Sequence, residues 1–247
     1  MELHHHSNLG HGFKGWKPFL WEFLMLFLAV FAASLAEYQL EHKIERDREK
    51  QYIKSLVVDL AADTTNLNKA INDIKEQNSR LDTVLARFDQ LSVCFNDTLI
   101  RNISLNYVDF IYTDRTMQQL KNSGAMRLIR DQSVADSILD YDSAMKHLMN
   151  SGQPIIQYMV LHELMPIYYK LIDMKGLTYS FRHKKIAQLR KENKTFLISN
   201  DKSKLVELSN YLLSYRSACS TLKDDEIRIK KQATKLIKQL KEEYKLE

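Results

Sequence analysis

Glycine and proline are scarce in this chain, six and three among 247 residues, where average usage is roughly 7% and 5%. Neither occurs between Pro18 and Gly124, or after Gly176. β-Sheet architectures need turn residues every ~8–12 positions, and these two stretches supply none. Sheet folds are thereby excluded, and long helices are the economical reading. Cysteine is almost missing as well. Cys94 and Cys219 alone cannot make a disulfide-stapled scaffold or a four-cysteine zinc site. A surplus of one charge is also lacking: 36 basic residues face 31 acidic ones, for a net +5. That is a mixed surface without the concentrated basic stripe of a nucleic-acid binder, so no nucleic acid is expected as a partner.

One long apolar run is present. Phe19 to Ala36 reads FLWEFLMLFLAVFAASLA, with Glu22 as its single charge. At about 1.5 Å per residue it spans roughly 27 Å, close to the ~30 Å hydrocarbon thickness of a bilayer. Trp16 and Trp21 lie at one edge and Tyr38 at the other, where amphipathic rings favour the interface. The helical pattern continues through Leu40 and Ile44, so the run is expected to be an uncleaved anchor in contact with membrane lipid. Glu22 falls in the first turn, where a carboxylate suits the helix dipole. Ala29/Ala33 and Ala32/Ala36 are small-xxx-small pairs that permit close helix approach and homo-oligomer formation. Residues 1–18, with His4, His5, His6 and His11, read as a solvated tail.

Beyond the span, residues 37–247 form the expected soluble domain. Its apolar positions step by four and three from Ile53, Leu60, Leu67 and Ile71 to Ile74, Asn78, Leu81 and Leu85, the mark of a coiled-coil or bundle seam. A long helix over about 37–94 is predicted. A second such run over about 202–246 passes through Leu208, Leu212, Tyr215, Cys219, Leu222 and Glu226 to Leu240, with Ser199, Asn200 and Asp201 as capping residues before it. The two runs have similar length, about 60 Å, and are expected to pack antiparallel with Cys219 opposite about residue 77. That register keeps Cys94 and Cys219 too far apart for a disulfide, which needs Cα atoms within about 7 Å. Breaks are expected at Gly124, at Gly152-Gln153-Pro154 and at Gly176, and Pro166 should kink or end its helix. The segment 155–175 reads as a core helix, with a ligand pocket lined by its tyrosines and methionines as the alternative. The fold class is therefore all-α: an N-terminal transmembrane helix running into a long helix, packed with shorter helices and a long C-terminal one as an elongated bundle.

Tyr112 to Asp131, running on to Ile138 and Tyr141, contains Leu120, Lys121, Ser123, Gly124, Leu128 and Ile129 in an LKxSGxLxLI pattern, with Met126 where leucine is usual. Over about residues 19–145 the chain resembles an uncharacterised family of single-span helical envelope proteins of Gram-negative bacteria. It departs from that family in its His-rich N-terminus, where the family tends to be basic. The resemblance implies an inner-membrane anchor with a periplasmic domain; the basic residues flanking the span leave orientation even. Physically the motif is a helix–helix corner: Gly124 ends one helix with positive φ, and Asp131 or Ser133 caps the next.

Catalytic signatures are missing too. There is no G-x-S-x-G elbow, and His162-Glu163 is followed by Leu-Met-Pro, not by the second histidine of a zinc helix. Asp224-Asp225-Glu226, Arg182-His183-Lys184-Lys185 and Arg190-Lys191 read as solvated helix faces, and Asn96, Asn102 and Asn193 are sequons only in a eukaryotic secretory setting. No catalytic, cofactor or metal residue is assigned. The expected function is a non-catalytic anchored scaffold or accessory subunit that binds itself or another envelope membrane protein. A ligand-sensing bundle is the alternative.

Overall fold

A computed structural model describes residues 16–89, 110–183, 186–192 and 196–246. Among them every regular element is helical, and the only extended pairing is an isolated bridge between Ile172 and Leu197. The elements are α1 (Trp16–Ala86), α2 (Arg115–Asn122), a 3-10 turn (Ala125–Leu128) and α3 (Gln132–His147). Then come α4 (Gln153–Tyr158), α5 (Met165–Leu171), α6 (Met174–His183), α7 (Ile186–Glu192) and α8 (Lys202–Tyr244). The chain divides into two compact units at Lys50/Gln51.

In the first unit, α1 carries the apolar run. It is long and apolar enough to cross a membrane, and none of that window is buried within the chain. Phe23, Phe27 and Phe31 stack at i, i+4 spacing, with ring centroids 6.3 and 6.0 Å apart. Side chains such as Trp21, Leu26 and Val30 are about two-thirds exposed, a contiguous apolar surface far beyond what a soluble monomer tolerates.

The second unit is built on α1 from Gln51 and on α8. Ile53, Leu60, Leu67, Ile71, Ile74 and Leu81 of α1 are buried, as the heptad pattern predicts. On α8 the buried stripe runs Leu208, Leu212, Tyr215, Cys219, Leu222, Glu226, Ile229, Ala233, Leu236 and Leu240. Three side-chain pairs fix the antiparallel register. Asn78 donates to Ser220 Oγ at 3.0 Å, Arg216 donates twice to the Asp82 carboxylate at 2.9 and 3.1 Å, and Lys230 donates to Asn68 at 2.6 Å. Ser220 opposite Asn78 is within two residues of the expected alignment. Cys219 is a free, buried thiol, whose apolar surroundings push its pKa up to about 11; Cys94 lies outside the described residues.

Helix ends follow their local chemistry. Asp201 caps α8 by accepting from Ser203 N at 2.9 Å, and Asp131 caps α3 by accepting from Ser133 N and Val134 N at 2.8 and 3.2 Å. Gly124 sits at φ +68°, and a Cβ built there meets nothing within 4 Å. Steric fit therefore does not require glycine, but the left-handed backbone does. Gly124→Ala is expected to cost about 1 kcal/mol, read as a lowered urea midpoint with unchanged slope.

Three expected boundaries move. The helical run from Gln132 to Leu171 is not broken at Gly152-Gln153-Pro154; it passes through two π-helical segments, Leu148–Gly152 and Met159–Leu164. A proline removes one backbone donor and crowds the carbonyl four residues back, here those of Asn150 and His162. Both carbonyls lie inside the π segments, whose wider turn takes them out of the regular ladder. Gly152 also lets α8 come close, since a Cβ there would stand 3.0 Å from Leu222 Cδ1. The break expected at Gly176 falls earlier, at Ile172–Asp173, where Asp173 N donates to Phe196 O and Ile198 N to Leu171 O; Gly176 N donates to the Asp173 carboxylate inside α6. Finally, α1 ends at Ala86, short of residue 94, with Arg87 N closing a tight turn onto Val84 O at 3.1 Å.

Candidate functional site

Among the described residues of the second unit, the densest polar chemistry is a buried cluster where α1, α2 with the segment before it, and α3 meet. Its centre is three carboxylates, Asp59, Asp63 and Asp142, each no more than 2% exposed. Burial of this kind demands that every oxygen be matched. Asp59 accepts from Thr116 N at 2.9 Å and from the Arg115 guanidinium at 2.7 Å. Asp63 accepts from Thr113 N at 2.8 Å through one oxygen and from the Tyr141 hydroxyl at 2.7 Å through the other. Asp142 takes the Tyr112 hydroxyl at 3.1 Å, the Lys146 ammonium at 3.0 Å and a close contact from Lys121. The Tyr112 and Tyr141 rings meet edge to face, with centroids 6.2 Å apart.

Local sequence explains the positions. Asp59 and Asp63 are four apart on one face of α1, and Asp63 belongs to a second heptad stripe with Leu56, Ala70, Gln77 and Val84, all buried. This stripe lies beside the α8 seam, so α1 is buried on two flanks. Asp114, Arg115 and Thr116 begin α2, and Asp59 serves as its cap from across the fold, taking a donor that no side chain before α2 satisfies.

The electrostatics divide the three acids. Burial raises the Asp63 carboxyl above its usual range, against hydrogen bonds from Thr113 and Tyr141 that favour the anion. Burial pushes Asp142 the same way, but donors from Lys121, Lys146 and Tyr112 together outweigh it and hold Asp142 below the usual carboxylate range. Burial, then the neighbouring carboxylates, drives both tyrosine hydroxyls far above the ordinary phenol value. They are therefore fixed as neutral donors. With its donors and acceptors facing one another, the cluster acts as a clasp that ties residues 112–116 and α3 to α1.

The signature residues take part unequally. Lys121 reaches the clasp at Asp142, a residue outside the signature, and Tyr141 closes it on Asp63. Leu120 is fully buried, and Ser123 and Gly124 make the corner, with Ser123 N donating to Gln119 O at 3.1 Å. Sequence reading found the corner and missed Asp59, Asp63 and Asp142; the second stripe on α1 was the available signal.

A fourth buried acid stands apart. Glu226 is 0% exposed on the α8 seam, and neither carboxylate oxygen has a hydrogen-bond partner. Burial, aided by the nearby Asp73 charge, raises its pKa to about 8. The Asp224-Asp225-Glu226 run does not converge: Asp224 pairs with Lys223 at 3.3 Å, Asp225 with Arg228 at 2.9 Å, and Glu226 turns inward. Among the described residues no three His, Cys, Asp or Glu side chains come together as a metal site.

Elsewhere, His162 stacks on Tyr158 with centroids 4.7 Å apart. In the 155–175 segment Ile156, Val160, Leu164, Ile167 and Leu171 are buried, while Tyr158 and Tyr169 face solvent at 59% and 55% exposure. It is a core helix, with Tyr158 and Tyr169 turned outward. Glu22 is exposed in the first unit, and so are Arg182, His183 and Lys191 in the second. The N-terminal histidines, Lys184, Lys185 and the three sequons lie outside the described residues. Comparison with protein-family models, with curated proteins and with solved structures finds no match for this chain.

Proposed function

We propose that this chain is a non-catalytic, membrane-anchored helical scaffold or accessory subunit, whose bundle acts by contact with other proteins. The observation that carries the reading is the bare apolar stretch of α1, with none of its window covered by the rest of the chain. A surface of that length is stable in hydrocarbon, where a helix satisfies its own backbone, and not in water. The second unit supports a contact role: its most elaborate polar chemistry is spent on holding helices in place. The LKxSGxLxLI corner and the preceding span support a place in the single-span envelope family, and with it a bacterial inner membrane and a periplasmic bundle. The small-xxx-small pairs Ala29/Ala33 and Ala32/Ala36 support self-association of the anchor.

Two measurements test this. Alkaline carbonate washing of membranes should leave the chain in the pellet; release into the supernatant would refute an anchor. A cysteine appended after Glu247, in a Cys94→Ser background, should react with a membrane-impermeant maleimide in intact spheroplasts. Labelling only after lysis would put the bundle in the cytoplasm.

A further inference from the structure

The face of the α1/α8 pair near Lys75 carries an open trough of about 550 Å³. Its α1 wall presents Asn68, Ile71 and Lys75, and its α8 wall presents Ile227, Lys230 and Thr234, with Lys231, Lys235 and Lys238 on the outer rim. Charge here is one-sided. From Ile227 to Lys241 the sequence has six basic residues and no acidic one. Lys230 is held by Asn68, and Lys238 approaches Glu242 only at 3.8 Å across an exposed pair. Among the described residues, Lys75, Lys231 and Lys235 have no carboxylate within ion-pair distance.

The geometry points to a docking site for an acidic amphipathic helix of a partner protein. The spacing of the walls argues for a helix. Residues 68, 71 and 75 on one side, and 227, 230 and 234 on the other, repeat at three and four positions, so both walls present knobs and holes at the period of a third helix laid along them. The floor gives such a helix an apolar contact through Ile71, the half-buried Ile227 and the lysine stems. The rim sets its charge. Lys231, Lys235 and Lys238 recur at i, i+4, i+7, the positions from which flanking residues of one helix pair with those of the next. Glutamates on both flanks of the entering helix would answer the unpaired lysines and exclude basic partners. A concave trough between two helices suits a helix better than a lipid surface, which meets the rim alone. The inference rests on the contact role proposed above and names the chemistry of the partner.

The test uses the full chain in nanodiscs of neutral lipid. The probe is a designed helix with leucine at a and d and glutamate at both e and g, which keeps it from pairing with itself; its control has glutamine at e and g. Anisotropy should show saturable binding of the acidic helix, at least about tenfold tighter than the control and weakening steeply with salt. The triple variant Lys231→Glu, Lys235→Glu, Lys238→Glu should lose about tenfold or more. So should Thr234→Glu, a single exposed change on the trough wall, while circular dichroism and the thermal midpoint stay those of the parent. Equal binding of the two helices, or undiminished binding by the charge-reversed variants, overturns the site. Capture of phosphatidylglycerol vesicles through the same lysines, with no binding of the acidic helix, overturns it in favour of a lipid surface. The carbonate and labelling experiments report on the anchor alone, so a failed trough and a failed anchor are told apart.

Discussion

Glu226→Gln is expected to stabilise the bundle at alkaline pH by about 2–4 kcal/mol and to flatten its stability between roughly pH 5 and 9. The native pKa is raised, from 4.5 to about 8. For a carboxyl group shifted this way, the folded state binds the proton more tightly than the unfolded one. Its favourable contribution is complete below the unfolded value and is lost as pH rises through the folded value. At neutral pH the folded chain keeps Glu226 protonated among Cys219, Leu222 and Ile229; above about pH 8 it must ionise with no donor on either oxygen and with Asp73 nearby from α1. Glutamine removes the ionisation and leaves the shape. Glu226→Leu removes the unmatched polar atoms too and should stabilise at every pH, as apolar replacements of buried charge often do. Chemical denaturation across the pH range is the measurement. A parental slope that survives in the glutamine variant would mean that Glu226 does not titrate in this window.

The second large effect is expected at the clasp. Asp63→Ala should destabilise by about 2–5 kcal/mol, because the loss falls on two donors at once, the buried Tyr141 hydroxyl and the half-buried Thr113 N. The Tyr141 hydroxyl and Thr113 N both point at that carboxylate, and Tyr141 is 1% exposed. The Tyr141 hydroxyl cannot turn to water without opening the junction of α1 and α3. Tyr141→Phe removes one of the donors, so in the Asp63→Ala background it should cost little. A double-mutant cycle should show a coupling of about 1–3 kcal/mol. Additive single effects would mean that the two side chains do not support each other. Asp142 responds to pH with the opposite sign from Glu226. Its folded pKa is depressed, so its contribution is present above the unfolded value and fades as pH falls through the folded one. The Asp142 part of the clasp therefore weakens in acid, whereas the Glu226 layer weakens in alkali.

Much of this was legible in the chain itself. The absence of turn residues over 19–123 excluded sheets. The apolar run marked the start of α1 as long and apolar enough to cross a membrane, and the 4,3 spacing named the buried stripe of α8 residue by residue from Leu208 to Leu240. These follow from periodicity and composition, which act along a single helix and need no knowledge of its neighbours. Even the register came out, because two seams of similar length leave few ways to pair; Asn78 meets Ser220. Gly124 and Asp131 were equally local, one a backbone requirement and the other a cap.

What only the tertiary structure decided is what depends on a second partner. Asp59, Asp63 and Asp142 lie among charged residues of ordinary appearance, and nothing in their own neighbourhoods says that they are buried. That is set by α2 and α3 folding onto a second flank of α1, where Thr113, Thr116 and Tyr141 supply the donors. Pro154 and Pro166 are helix breakers by local rules, yet packing against α8 holds the helix through both in π turns. Glu226 carried two readings in the sequence, a seam position and one member of an acidic surface run; packing decided for the seam, while Asp224 and Asp225 stayed out. The trough beside Lys75 exists because antiparallel packing brings the lysines of α8 against Asn68, Ile71 and Lys75 of α1, none of which is a carboxylate. Periodicity fixes which face of a helix is buried; the cost of unmatched buried charge is settled only when the facing residues are in place.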